Sequence, residues 1–342
     1  MTALRAVLAV AALLVVALLT LIALAVQPFV APIASTPPPV DAQRLAAHVR
    51  HLSADLYPRS HDQFANLERA AAYVEREFIA AGARSVQSQP VRADEAVYRN
   101  VIARFGPGDG PLLVIGAHFD SHGDAHAGAK FGAKGHDPST HTPGADDNAS
   151  GVAGLIELAR LLAANPPRHA VELVAYTIEE PPHFRTPQMG SVTHARSLRA
   201  AGRDVRLMVS LEMIGYFSDA PRSQRFPLPG LQLLYPDRGD FIAIVSRWST
   251  RGDFAAARRA KALMRGATAL PVHSINAPPI VAGIDFSDHL AYWAEGMPAL
   301  MVTDTSFMRN PHYHRAGDTH DTLDYRRMAQ VVQGVHALVQ DY

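Results

Sequence analysis

The chain has 342 residues, and its 32 Lys+Arg balance 32 Asp+Glu, so charge gives no reason to expect a nucleic-acid partner. An apolar share of 48% predicts a packed globular core rather than disorder. Cysteine is absent, which excludes disulfides and thiolate metal sites and leaves His, Asp and Glu to hold any metal.

Residues 6–26, AVLAVAALLVVALLTLIALAV, carry no charge and follow Arg5. A signal-peptide core usually holds about 7–15 apolar residues, whereas a spanning helix needs about 20. The run therefore reads as a transmembrane helix. Arg5 on its short N-terminal side places the remainder outside the cytoplasm, periplasmic or extracellular. Secretion after cleavage of a long signal peptide is the alternative. PFVAPIASTPPPV, residues 28–40, reads as a proline-rich spacer. The expected organisation is an anchor or signal segment over 1–27, a linker over 28–41 and one folded domain over 42–342.

Helical periodicity marks 42–54 and 63–82, the second ending at Gly82. YRNVIARFG (98–106) reads as a strand, and GPLLVIGAHFDSHG (110–123) begins with a short apolar run suited to a strand buried on both faces. A helix over 149–167 ends at Asn-Pro-Pro. A second buried strand, HAVELVAYTIEEPP (169–182), and a helix over 190–202 follow. The third buried strand lies in VRLMVSLEMIGYF (205–217). The region 218–282 is less regular, with a strand in DFIAIVS and a helix in DFAAARRAKALMRGA. MPALMVTDTS (297–306) is the fourth buried strand, and the C-terminus is helical. This alternation predicts a single α/β domain: a mostly parallel mixed sheet with helices on both faces.

Open α/β sheets bind ligands beyond the carboxyl ends of their strands. The first buried strand ends in His118 and Asp120, the second in Glu179 and Glu180, and the third in Glu212. PGADDNASG places Asp146, Asp147 and Asn148 at the start of the next helix, and HYHRAGDTHDT supplies His312, His314, Asp318 and His320. Five distant segments thus deliver imidazoles or carboxylates to one sheet edge, as a hard or borderline divalent cation requires. One aspartate of the doublet can bridge two metals, while its neighbour and Asn148 shape the turn or cap the helix. In the glutamate pair, one residue can bind metal and the other serve as general base.

GAHFDS, PGADDNASG, YTIEE, SLEMIGY, FSDH and YHRAGDT, in this order and spacing, resemble the co-catalytic di-zinc exopeptidases. That family includes bacterial leucyl aminopeptidase, aminopeptidases S and Y and glutamate carboxypeptidase, with the glutaminyl cyclases as single-zinc relatives. The resemblance spans roughly residues 42–342. It implies two Zn²⁺ per chain and peptide substrates, hydrolysed from the N-terminus through a metal-bridged water. It further implies His118 and Glu212 as ligands of one zinc, Asp147 as the bridge, and Glu180 and His314 as ligands of the other. Glu179 would be the general base, and Asp120 would orient the His118 imidazole. At Glu212 the sequence departs from the best-known members, which carry Asp. Asp288 of FSDH is expected near the substrate amine or as a helix cap. A glutaminyl-cyclase-like acyltransferase and an inactive binding ectodomain are the competing readings.

His122, His126, His136 and His141, set among Gly, Ala and Ser, match no ligand spacing and read as solvated loop residues. His183 either lines the pocket or does nothing there. His312 competes with His314, which better fits the aromatic-His-x-x-x-Asp-Thr pattern. Trp248, Trp293 and the Phe residues are expected in the core.

Overall fold

The computed structural model describes residues 2–124 and 140–342; His126 and His136 lie outside them. The strands are β1 Ser85–Ala93, β2 Ala96–Phe105, β3 Leu112–His118, β4 Ala170–Tyr176, β5 Val205–Glu212, β6 Ile242–Arg247, β7 Val272–Ala277 and β8 Ala299–Thr303. They form one sheet in the order β1-β2-β4-β3-β5-β8-β6-β7. β3 runs parallel to β4 and β5, β5 to β8, and β6 to β7. The pairs β1–β2, β2–β4 and β6–β8 are antiparallel. The helices are α1 Thr2–Val26, α2 Ala42–Arg50, α3 Phe64–Ala81, α4 Gly151–Ala164, α5 Gly190–Ala200, α6 Arg251–Ala267, α7 His289–Ala294 and α8 Tyr325–Asp341.

Every residue of β3 and β4 is buried, which is why both read as continuous apolar runs. Their side chains alternate between two cores. Leu113, Ile115 and Ala117 of β3 pack with Leu45, Phe78, Leu155, Leu263 and Val335 from α2, α3, α4, α6 and α8. Leu112 and Val114 face the other way, with Leu198 of α5 and Tyr292 of α7. The expected α/β architecture is therefore present, with helices on both faces. Gly82 closes α3 at φ 92°, and its N–H lies on the Ile79 and Phe78 carbonyls, a conformation a side chain would strain.

β1 and β7 were not anticipated. β1 is a half-exposed edge strand containing Pro90, a residue tolerated at edges, and β7 mixes His273, Ser274 and Asn276 with apolar Val272, Ile275 and Ala277. Two further expectations need correction. Phe29 and Phe64 are exposed and Trp248 is half-buried, as a folded chain always leaves some apolar side chains at its surface. The segment 28–41 does not cross open space. Its Ile33 N–H donates to Ala262 O (2.9 Å) and Ser35 N–H to Gly266 O (3.2 Å), and Gln333 Nε2 donates to Pro38 O (3.1 Å). Proline removes a donor but leaves its carbonyl: Pro38 O accepts from α8, while α6 accepts the N–H groups of the non-proline Ile33 and Ser35.

Candidate active site

The carboxyl ends of β3, β4, β5 and β8 open on one side of the sheet, and the loops there carry the acidic doublets. Asp146, Asp147 and Asn148 lie in a kinked turn, residues 145–150, that leads into α4; every residue in it is buried. Asn148 explains why the turn sits where it does. Its Oδ1 accepts from Gly151 N–H (3.1 Å) and Met213 N–H (3.0 Å), and its Nδ2 donates to Leu211 O (2.8 Å). It thus caps α4 and stitches the turn to β5. Asp146 accepts from Gly215 N–H (3.0 Å) and Asn310 Nδ2 (2.8 Å), tying the turn to the loop after β8.

Asp147 points between two imidazoles. Its Oδ1 lies 3.4 Å from His118 Nε2 and its Oδ2 3.1 Å from His314 Nε2. Glu212 Oε2 is 3.3 Å from His118 Nε2, and Glu180 Oε2 is 3.3 Å from His314 Nε2. Donor atoms of His118, Asp147 and Glu212 form one cluster within 4.8 Å, and those of His122, Glu180 and His314 form another. Ligands about 2.0–2.1 Å from a tetrahedral Zn²⁺ stand about 3.3–3.4 Å apart along the tetrahedron's edges, so the spacing suits coordination. The longer Glu212 reaches the first cluster and is steadied there by Ser287 Oγ, which donates to Oε2 at 2.7 Å. Glu179 Oε2 lies further off, 3.8 Å from His118 Nε2.

Each doublet is held by another carboxylate. Asp120 accepts the Glu179 N–H on Oδ1 (3.1 Å) and the Glu180 N–H on Oδ2 (2.9 Å), and its Oδ1 is 3.3 Å from His118 Nδ1. Asp318 does the same for the Asp146 N–H (3.0 Å) and Asp147 N–H (3.1 Å). The fully buried Arg59 joins the two halves. It donates to Phe119 O, Pro143 O and Gly144 O at 2.9 Å each, locking the approach to Asp120 against the approach to Asp147.

The electrostatics call for cations. Burial raises the carboxyls of Glu179, Glu180 and Glu212, Glu180 to about 7. Burial acts likewise on Asp147, but the facing imidazoles of His118 and His314 outweigh it and hold that group far below the usual range. Both imidazoles resist protonation through burial, yet the carboxylates drive His314 up to about 10 and His118 well above its ordinary value. A pocket that pulls protons onto two buried imidazoles carries negative charge that divalent cations can neutralise. His118 Nε2 and Glu180 Oε1 are buried without a hydrogen bond among the described residues. The donor set, imidazole and carboxylate only, fits a hard or borderline metal.

Beside these clusters lies a cavity of about 100 Å³, reaching from Glu212 and Tyr313 to Phe226, Tyr235, Phe241, Ile284, Phe286, Met301 and Phe307. Much of its wall comes from the irregular 218–282 region. Asp288 is fully buried, and its oxygens make no hydrogen bond among the described residues. It stands at the start of α7 without capping it.

The other sequence-level assignments divide. His312 stays outside both clusters, while His314 joins one. His183 is buried, bonded to Gln188 Oε1 through Nδ1 (3.0 Å), and does not line the cavity. The solvated reading of His122 is overturned. Its ring is buried and stacked on His314 at 4.0 Å, and its Nδ1 meets the Asp124 backbone at 3.0 Å. His141 is half-buried, with Nδ1 2.9 Å from Ser60 Oγ. The only sequence signal for His122 was its position four residues after His118, too short a pattern to outweigh the loop composition. Nothing in the sequence marked Arg59.

Residues 100–339 match the model of Peptidase family M28. The chain is 50% identical over 313 residues to the Escherichia coli (strain K12) protein YfbL, itself described as uncharacterized, with 92% of each chain covered. It is 25% identical over 283 residues to a probable leucine aminopeptidase of Arthroderma otae, covering 80% of this chain and 64% of the fungal one. Among solved structures, a leucine aminopeptidase precursor and a glutaminyl cyclase, both from Bacteroides thetaiotaomicron, share the fold. Each has a TM-score of 0.65 and 18% identity; 91% and 90% of this chain are covered, and 100% of either structure. With most of its length matched and this clustering of imidazoles and carboxylates at the sheet edge, the chain belongs to peptidase family M28.

Proposed function

We propose that the chain is a zinc-dependent exopeptidase acting as an aminopeptidase, with two zinc ions per chain. His118, Asp147 and Glu212 would hold one ion, and Asp147, Glu180 and His314 the other. The observation that carries this reading is Asp147, whose two oxygens face two different histidines, as a bridging carboxylate must. His122, in the second cluster, packs against His314. When bound, the ions supply Lewis-acid chemistry, acidifying a water and polarising the scissile carbonyl.

Glu179 is the general base: it takes the proton of the attacking water and passes it to the leaving amine. Its buried carboxyl has a raised proton affinity, which suits both halves of that transfer. Asp120 orients His118 and fixes the backbone of Glu179 and Glu180. Asp288 offers a buried carboxylate to the substrate ammonium, and the apolar cavity receives the N-terminal side chain. α1 is long and apolar enough to cross a membrane, and we read it as an anchor holding the folded domain outside the cytoplasm.

A panel of aminoacyl-p-nitroanilides and N-acetylated controls tests this reading. Leucyl and phenylalanyl substrates should exceed aspartyl and lysyl ones in kcat/KM by about 10²-fold, the scale on which a pocket discriminates, and acetylated forms should be inert. Cyclisation of an N-terminal glutamine with no release from any aminoacyl substrate would replace the aminopeptidase by an acyltransferase.

A further inference from the structure

α1 enters the domain through a built socket. The buried Lys261 of α6 donates from Nζ to the carbonyls of Val26 (3.1 Å) and Gln27 (2.9 Å). On β7, Asn276 Nδ2 donates to Leu24 O (3.0 Å) and Ala25 O (3.2 Å), and Ser274 Oγ to Val26 O (3.0 Å). These carbonyls close the helix and have no partner within it, so the domain caps α1. Just beyond, a Cβ on Gly266 would lie 1.7 Å from Ile33 O; the chain is seated closely against α6.

Residues 4–20 of α1 are exposed throughout, so the helix projects clear of the domain. At 1.5 Å per residue the span Leu4–Val26 covers about 35 Å, against a hydrocarbon core of about 30 Å. A bilayer around α1 therefore ends at the socket. Large apolar side chains stand exposed on neighbouring segments: Phe29 at 91%, Leu233 at 85% and Ile280 at 93%. Phe29 follows Gln27 closely. Ile280 is four residues past Asn276, within about 15 Å along the chain. Leu233 is joined to the socket through Tyr235, whose hydroxyl donates to Ser274 O (2.7 Å). The turn of Leu233 and the loop of Ile280 both line the cavity, through Leu231 and Tyr235 and through Gly283 and Ile284.

We propose that this face rests on the lipid surface, so that the domain is held in one pose with Phe29, Leu233 and Ile280 among the headgroups and the cavity rim beside them. The inference depends on reading α1 as an anchor; the peptidase reading of the cavity gives the pose its consequence and is tested separately. Apolar side chains next to a span are the kind that settle at the interface.

The chain contains no cysteine, so single-cysteine spin labels report one position at a time. Labels at Leu13, Phe29, Leu233 and Ile280 in full chain reconstituted into phosphatidylcholine–phosphatidylglycerol liposomes are compared with Ile79, an exposed residue on α3. That helix packs on β2 and β1, at the opposite end of the sheet from β7. The ratio of lipid-phase to water-phase relaxation should be several-fold higher at Phe29, Leu233 and Ile280 than at Ile79. A lipid-like Leu13 with the other three as aqueous as Ile79 would overturn the pose while leaving the anchor standing. An aqueous Leu13 would overturn both. Leucyl-p-nitroanilide hydrolysis by the same samples separates the peptidase reading: an active enzyme with aqueous labels loses only the pose, and an inactive one with lipid-like labels keeps it.

Discussion

Asp120 and Asp318 solve one problem twice. Each acidic doublet presents consecutive backbone N–H groups, and a buried carboxylate accepts both, leaving the Asp147, Glu179 and Glu180 side chains to turn toward the imidazoles while Asp146 ties the turn to Gly215 and Asn310. Residues of this kind act by orienting ligands and typically matter about 10–100-fold in metal affinity. Asp120→Ala should weaken zinc binding by about that factor in a chelator competition, with an unchanged far-UV spectrum. Wild-type affinity in the variant would deny Asp120 its orienting role. Asp120 could be suspected from the sequence, because it stands two residues after His118. Asp318 was visible only as part of a motif, and Arg59 was silent. Its importance lies in bonding carbonyls from distant segments, a relation that exists only in the folded chain. His122 failed for the opposite reason: Gly, Ala and Ser around it suggested solvent, but residues 121–124 are buried.

At the scale of elements, α2 is fastened to α4 by a charge cluster. Arg44 Nε lies 3.0 and 3.1 Å from the two oxygens of Glu157, Arg44 Nη2 reaches it at 2.9 Å, and His48 Nε2 stands 3.5 Å away. Burial favours the neutral acid, but the bonds from His48 and Arg44 outweigh it and lower the Glu157 pKa from its ordinary 4.5. A carboxylate with a depressed folded pKa contributes stability above its unfolded pKa and loses it as pH falls through the folded value. Glu157→Gln should therefore cost about 2 kcal/mol near neutrality and flatten the fall of Tm below about pH 4.5. Parallel acid limbs for the two proteins would show that this cluster contributes nothing to acid stability. The helices and buried strands of this layer were legible because their apolar periods are strong. β1 and β7 were not, since edge strands carry polar side chains whose pairing supplies what their composition does not.

For the whole molecule, the N-terminal segment matters most where composition described it least. A proline-rich stretch reads as a spacer in any sequence, yet residues 24–38 complete the socket around Lys261. A fragment beginning at residue 41 leaves that ammonium without its carbonyl acceptors. It should be less stable than one beginning at residue 23 by about 1–3 kcal/mol, the cost of an unmade buried bond, as read from urea midpoints. Equal midpoints would mean that the socket adds nothing to the fold.

The metal stoichiometry of the purified full chain in detergent, measured together with leucyl-p-nitroanilide turnover for wild type and Glu179→Gln, decides whether Asp147 bridges two ions and Glu179 moves the proton. Two zinc ions per chain are expected in both proteins, with turnover lower in the variant by about 10²–10⁴-fold, the span of general-base catalysis. One ion per chain, or a variant that keeps wild-type turnover, would contradict the bridging role of Asp147 or the proton transfer assigned to Glu179.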